Sequence, residues 1–553
     1  MNELSKAHDE FIDRSLWHGP LDRSAELLAQ HPEISAQSIH AAAILGDAVA
    51  VRRFLARTPS SATVRGGPRG WDPLTCLCFS KYLRLEPART PDFVEAATAL
   101  LDAGADPNTG FYAGEQQAQH EWECALYGAA GVAHNPELTR LLIERGADPN
   151  DGEVVYHAPE TLDNRAMQVL VESGQLTQAS LRLMLQRKLN WHDDGGFVWL
   201  LDHGVDPNAA GHWKTRPLED ALANGVPLHY FEHLLDRGAD PTLPSAARGT
   251  IFAAAARMAR VDVLDLFERR GFAAALSGDD AFLMAAARAD EATARQMVAE
   301  DPNLVGRVQS RDPTLLIEFA GAENPRAVRL LLDLGFDIAV ARTEPAWSRG
   351  LTALHEAVGH CRLETVRLLI ARGAPLDAKH ARSDRAPADV ALLSLTEQSE
   401  WTPNPTSIPI ARALLEANAP FLASHMTLAA AICLGRRQDI ERLSRHATRD
   451  DKQIALAAAA FNGNVDGLRH LVSLGVDLDA TRPGLEHAAP LHNAVSSGSL
   501  AAVQTLIDAG ARLETRDLAH QLRPIDWATW YVTNAREPKE YGAILDYLRR
   551  LSP

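Results

Sequence analysis

At 553 residues the chain exceeds the size at which one hydrophobic core keeps growing, so it divides into several domains or forms a repeat array that adds core linearly. Hydrophobic residues make up 46% and charged residues 23%, an ordinary globular balance, and no run approaches the roughly 20 apolar residues of a membrane span. A net charge of −17 repels phosphate backbones and anionic lipid, which argues against a general nucleic-acid or membrane-surface role.

The first ten residues carry Glu3, His8, Asp9 and Glu10 where a secretory signal would be basic and then apolar, so no signal of that kind is expected. Residues 1–37 read as an atypical helical pair that caps whatever follows, with Phe11, Leu16, Trp17, Leu27 and Leu28 turned inward. Residues 38–244 then carry the fullest copies of a recurring phrase: Leu100-Leu101-Asp102-Ala103-Gly104-Ala105-Asp106-Pro107-Asn108, and again at 141–150, 200–208 and 234–241. The leucine pair ends an amphipathic helix, the glycine stops it in a left-handed conformation, and Asp-Pro-Asn starts a turn. Lengthened segments at Leu83 to Pro91 and Thr109 to Glu121 interrupt this region. Residues 245–348 keep alanine-rich first helices near Phe252 and Ala285 in degenerate units. Residues 349–518 regain the pattern: Gly373 follows Gly335 of the preceding region by 38 residues, and Gly475 and Gly510 are 35 apart. A proline-rich insertion runs from Leu393 to Pro409, and residues 519–553, with Trp527, Trp530, Ile544 and Leu548, close the other end as capping helices.

The other half of the unit is clearest at Gly350-Leu351-Thr352-Ala353-Leu354-His355-Glu356-Ala357-Val358-Gly359-His360 and at Ala489-Pro490-Leu491-His492-Asn493-Ala494, with a less complete copy at Ser38 to Asp47. Together the halves resemble the ankyrin repeat, T-P-L-H-x-A-A, a loop, V-x-x-L-L, then G-A-D-x-N. The resemblance covers about residues 11 to 550 in about fifteen units. It implies an all-α fold, an ankyrin-repeat solenoid of helix-turn-helix units with short β-turn fingers wound into a curved superhelix. It also implies that partners are recognised by the fingertips and first helices, and that the T-P-L-H histidines (His40, His355, His492) bond turn backbone between neighbouring repeats.

Four tryptophans stand near the expected fingertips: Trp71, Trp122, Trp213 and Trp347. A large ring is costly to expose, so its recurrence there suggests contact hot spots, with Asp72, Glu121, Glu123, Arg216 and Arg349 as a polar rim. The competing explanation is that each ring folds down over its own insertion. The H-E-x-x-x-H spacing of His355 and His360 puts the imidazoles about 140° apart on a helix, which excludes the i, i+4 metal pair. His192-Asp193-Asp194-Gly195-Gly196 could bind a metal, but Asp before a helix is an N-cap and Gly-Gly is turn chemistry, so capping is expected; Asp279-Asp280 and Asp450-Asp451 read the same way. No phosphate-binding or nucleophile-elbow motif occurs, and no catalytic residue, metal or cofactor is assigned. The five cysteines are scattered and fit reduced, buried thiols in a cytosolic protein.

The expected function is a protein-protein interaction scaffold: a cytoplasmic monomer that binds a macromolecular partner through the concave groove and β-turn fingertips of the solenoid, and neither nucleic acid nor membrane. An arginine- and alanine-rich, lysine-poor composition suggests a bacterial source and leaves open delivery into a host as an effector. The alternative is an enzyme, metal-dependent or not, with an active site built from His, Asp and Glu of several repeats inside the groove; such a site leaves no linear motif.

Overall fold

The computed structural model describes residues 3–17, 21–113, 121–211, 214–244, 250–273, 276–322, 324–396, 407–482, 488–517, 522–534 and 539–551. Two compact units emerge: residues 1–226 with 233–239, and residues 227–232 with 240–553. The division falls within the helix Leu228–Asp236.

In the first unit, paired helices succeed one another: Ile39–Ile44 with Ala48–Arg57, Pro73–Cys78 with Thr90–Asp102, then Gly152–His157 with Arg165–Glu172 and Gln178–Asn190 with Asp194–Asp202. Local chemistry starts them. Ser38 accepts a hydrogen bond from Ala41 N and Asp47 one from Ala50 N, each filling an orphan donor of a helix N-terminus. Ala41, Ala42 and Ala43 are wholly buried, and their small side chains let neighbouring first helices approach closely. Near the N-terminus lie the helices Glu3–Arg14 and Asp22–Gln30, with Phe11, Leu16 and Leu27 buried and Leu28 half-buried.

The second unit repeats the arrangement from Ile251–Arg257 with Val261–Arg269 to Pro524–Asn534 with Tyr541–Leu551. Its core is again alanine on the first helices, such as Ala455 to Ala460 on Arg449–Phe461, and leucine or valine on the second, such as Val366 and Leu369 on Leu363–Ala371. The architecture is an all-α repeat solenoid. Among the described residues the only named strands are β1 (Gly110–Ala113) and β2 (Glu121–Cys124), an antiparallel hairpin with Phe111 opposite Glu123 and Tyr112 opposite Trp122. None of the described helices is long and apolar enough to cross a membrane.

The recurring phrase does more than end a helix. Gly104 has φ +95°, and a Cβ there would meet nothing within 4 Å, so backbone conformation and not space demands glycine. Asp106 Oδ1 accepts from Asn108 N at 2.9 Å, and Asp148 from Asn150 N and Asp206 from Asn208 N in the same way. The asparagine then reaches the next repeat: Asn108 Nδ2 donates to Gly146 O at 3.0 Å while its Oδ1 accepts from Asp148 N at 2.8 Å. On the second helices, Asp102 pairs with Arg145, Asp202 with Arg237 and Asp333 with Arg372, each at 2.7–2.8 Å.

Candidate interaction surface

The T-P-L-H histidines fix the fingers to the first helices. His40 Nε2 donates to Val64 O at 2.8 Å, His355 Nε2 to Arg385 O at 3.2 Å, and His492 Nε2 to Leu522 O at 3.0 Å. Burial lowers the pKa of all three below the ordinary histidine value, keeping them neutral donors. His360 instead faces Glu356 at 3.4 Å, so His355 and His360 serve separate partners.

The fingertip tryptophans divide into unlike environments. Trp71 is 5% exposed: its ring stacks on Phe111 with centroids 3.9 Å apart and leans on Phe79 at 5.6 Å. Trp17 joins the same cluster, stacked on Phe79 at 5.1 Å and edge-on to Tyr127 at 6.2 Å. Asp72 is also buried; it caps the helix Pro73–Cys78 by accepting from Thr75 N at 3.0 Å and accepts from Thr109 Oγ1 at 2.6 Å. Trp71 and Asp72 therefore hold two adjacent fingers together, and neither offers a rim or a ring to solvent. Glu123 is likewise buried, inside the hairpin.

Trp122 and Trp347 lie outward. Trp122 is half-buried and meets Tyr112 edge to face at 4.8 Å, and Tyr112 is 66% exposed. Trp347 is 61% exposed in the short 3-10 turn Ala346–Ser348, whose backbone is anchored by His380 Nε2 donating to Trp347 O at 2.8 Å. Arg349 beside it is exposed and donates to Thr343 O and to Glu344, each at 3.1 Å. Arg216 is half-buried and precedes the helix Pro217–Ala223, with its backbone N donating to Glu219 Oε2 at 2.8 Å. Trp213 lies outside the described residues.

Tyr112 and Phe111 escaped the sequence reading. Their signal was alternation: in a two-stranded finger successive side chains face opposite ways, so Phe111 enters the aromatic cluster and Tyr112 leaves it. Gly128 lies nearby, at the start of the π-turn Gly128–Val132, where a Cβ would stand 2.8 Å from the Phe79 ring; bulk there would push the cluster apart.

The polar clusters are structural. Asp193 caps the helix Asp194–Asp202, and its Oδ2 also accepts from the buried Lys188 Nζ at 2.7 Å and from Asn164 Nδ2 at 2.8 Å. Asp279 and Asp280 do not cap as expected: the N-cap is Ser277, and the two carboxylates sit within the first turn and pair with Arg307 at 2.8 Å, and with Arg257 and Arg311 at 3.2 and 3.1 Å. Asp451 does join a capping box with Thr448. His157 lies between Glu160 at 2.6 Å and Glu153 at 3.1 Å; burial lowers its pKa, but the two carboxylates outweigh it and raise it to about 9. Cys76, Cys78, Cys124 and Cys433 are buried free thiols, and burial pushes Cys124 and Cys433 up to about 12. Among the described residues no group of three or more His, Cys, Asp or Glu is placed to hold a metal ion.

No curated protein matches the chain. Among solved structures, the human ASB11 ankyrin repeat domain is similar at 21% identity over 43% of this chain and 97% of that one, with a TM-score of 0.23. Residues 282–380 and 409–517 match the family model for ankyrin repeats, in three copies. Repeats of this kind are generally protein-interaction modules. With its helix pairs, glycine-terminated second helices and histidine-anchored fingers, the chain carries ankyrin repeats, matched by the family model over residues 282–380 and 409–517.

Proposed function

We propose that the chain is a cytosolic protein-interaction scaffold that engages a protein partner through its finger tips. The observation that carries this reading is the pair of outward aromatic sites, Trp347 at 61% exposure and Tyr112 at 66% against Trp122, each on a finger whose backbone is tied down. Fixed aromatic anchors lose little conformational freedom on binding, which is how hot spots gain their energy. Arg349, Arg216 and Trp213 complete the proposed contact set, and the buried free thiols suit a reducing compartment.

The test is affinity capture by the full chain, with mass spectrometry of what is retained. Trp347→Ala and Trp122→Ala should each weaken retention by about 2 kcal/mol or more, roughly thirtyfold, without shifting the melting temperature by more than a few degrees. Trp71→Ala should do the opposite: a cost of about 3–5 kcal/mol in stability from the emptied aromatic cluster. Retention unaffected by both outward substitutions would reject the fingertip reading.

A further inference from the structure

Between Asp47 and Asp72 the chain carries Arg52, Arg53, Arg57, Arg65 and Arg69 and not one carboxylate, within a protein of net charge −17. Two of the five are neutralised locally: Arg52 by Glu95 at 2.7 Å and Arg69 by Asp13 at 2.9 Å. Arg53, Arg57 and Arg65 are exposed and have no ion-pair partner among the described residues. Arg53 and Arg57 stand one turn apart on the helix Ala48–Arg57, on the stripe begun by Val49, which is 72% exposed. Val64 follows on the finger at 51% exposure, next to Arg65. The Arg65 guanidinium donates to Gly110 O at 2.9 Å, which ties this finger to the hairpin bearing Tyr112 and Trp122. The helix and the finger that follows it thus each set cations without an ion-pair partner beside an exposed apolar group, a strip continuous in the sequence from Val49 to Arg65.

We infer that this strip docks an acidic, aromatic- or aliphatic-anchored segment of a protein partner, a conclusion that rests on the scaffold reading and names the chemistry of its partner. Three guanidinium groups without a carboxylate partner attract carboxylates, Arg53 and Arg57 can grip them in bidentate fashion while Arg65 also holds Gly110 O, and Val49, Val64 and Tyr112 supply apolar contact. Nucleic acid fits less well. Tyr112 and Trp122 pack edge to face on one another rather than standing free as stacking platforms, and the charge of the remaining chain opposes a phosphate backbone.

The probe is a set of fluorescein-labelled peptides of about 15 residues, each containing Tyr and Leu and graded from strongly acidic to strongly basic, read by anisotropy against the full chain. The acidic peptides should bind, more weakly as salt rises, and the triple variant Arg53→Glu/Arg57→Glu/Arg65→Glu should lose about tenfold or more in affinity. The triple variant Arg382→Glu/Arg445→Glu/Arg449→Glu makes the same change in net charge elsewhere and should bind as the parent does. Circular dichroism checks that both variants stay folded. No binding by any acidic peptide, equal binding to the first variant, equal loss in the second, or tighter binding of a single-stranded oligonucleotide would each overturn the inference. Partner capture that survives the first variant but fails in Trp347→Ala would leave the scaffold reading standing and sink only the acidic strip; capture indifferent to the outward tryptophans would sink the scaffold reading itself.

Discussion

Lys188 has no exposed side chain, yet its ammonium group is held by Thr161 O at 2.6 Å and Asp193 Oδ2 at 2.7 Å. Its pKa is pulled below the usual lysine value, first by burial and against the attraction of Asp193. The pair is asymmetric. Without Lys188, Asp193 keeps Asn164 Nδ2 and Gly196 N as donors; without Asp193, the lysine keeps one carbonyl. Asp193→Ala should therefore cost about 3–5 kcal/mol, the range for stranding a buried charge, and Lys188→Met distinctly less, as measured by urea denaturation of the full chain. The His-Asp-Asp-Gly-Gly run announced the cap but not the lysine, because a contact between Lys188 and Asp193 across a helix break has no spacing rule to announce it. Trp71 illustrates the same limit. Its place before a first helix was plain in the chain, but whether a ring at a finger root turns in or out depends on Phe79, Phe111 and Trp17, which arrive from other repeats and from the N-terminal cap.

At the scale of the element, the repeat phrase was legible because each part answers a local demand: glycine for a left-handed residue, aspartate for the turn it caps, leucine for burial. What the phrase could not reveal is that its last residue works on the neighbour. Asn108 makes two hydrogen bonds to the Gly146–Asp148 stretch, one as donor and one as acceptor. Asn108→Ala should cost about 1–2 kcal/mol, at the lower end because the site is exposed, while Asn108→Asp keeps only the acceptor and should fall between. Hydrogen exchange at the Asp148 amide gives the direct readout: its protection should drop in Asn108→Ala, which removes its acceptor, and be largely kept in Asn108→Asp. The hairpin at β1 and β2 was legible only as a lengthened segment, since its strands are only four residues each.

For the whole molecule, protonation couples to folding in two opposite directions. His40, His355 and His492 are held neutral by burial, so the unfolded chain binds more protons than the folded one once pH falls through about 6.5. Their contribution is complete above that pH and is lost below it. His157 behaves in reverse: its pKa is raised to about 9 between Glu153 and Glu160, so its contribution is complete below about 6.5 and is lost as pH rises through 9. The melting temperature should accordingly fall on both sides of neutrality. His355→Gln, which retains a side-chain donor, should flatten the acid limb, and His157→Gln the alkaline limb; an acid limb unchanged by His355→Gln would rule out the buried-histidine account.

The histidine links also give the repeat array a polarity. Each buried imidazole donates toward the carbonyl of the following finger, at Val64, Arg385 and Leu522. Removing a repeat on the C-terminal side of such a link strands a buried N–H, whereas removing one on the N-terminal side bares only a carbonyl, which water satisfies more readily. Neighbouring repeats are therefore not interchangeable as ends, and the chain tolerates erosion better from one direction than from the other.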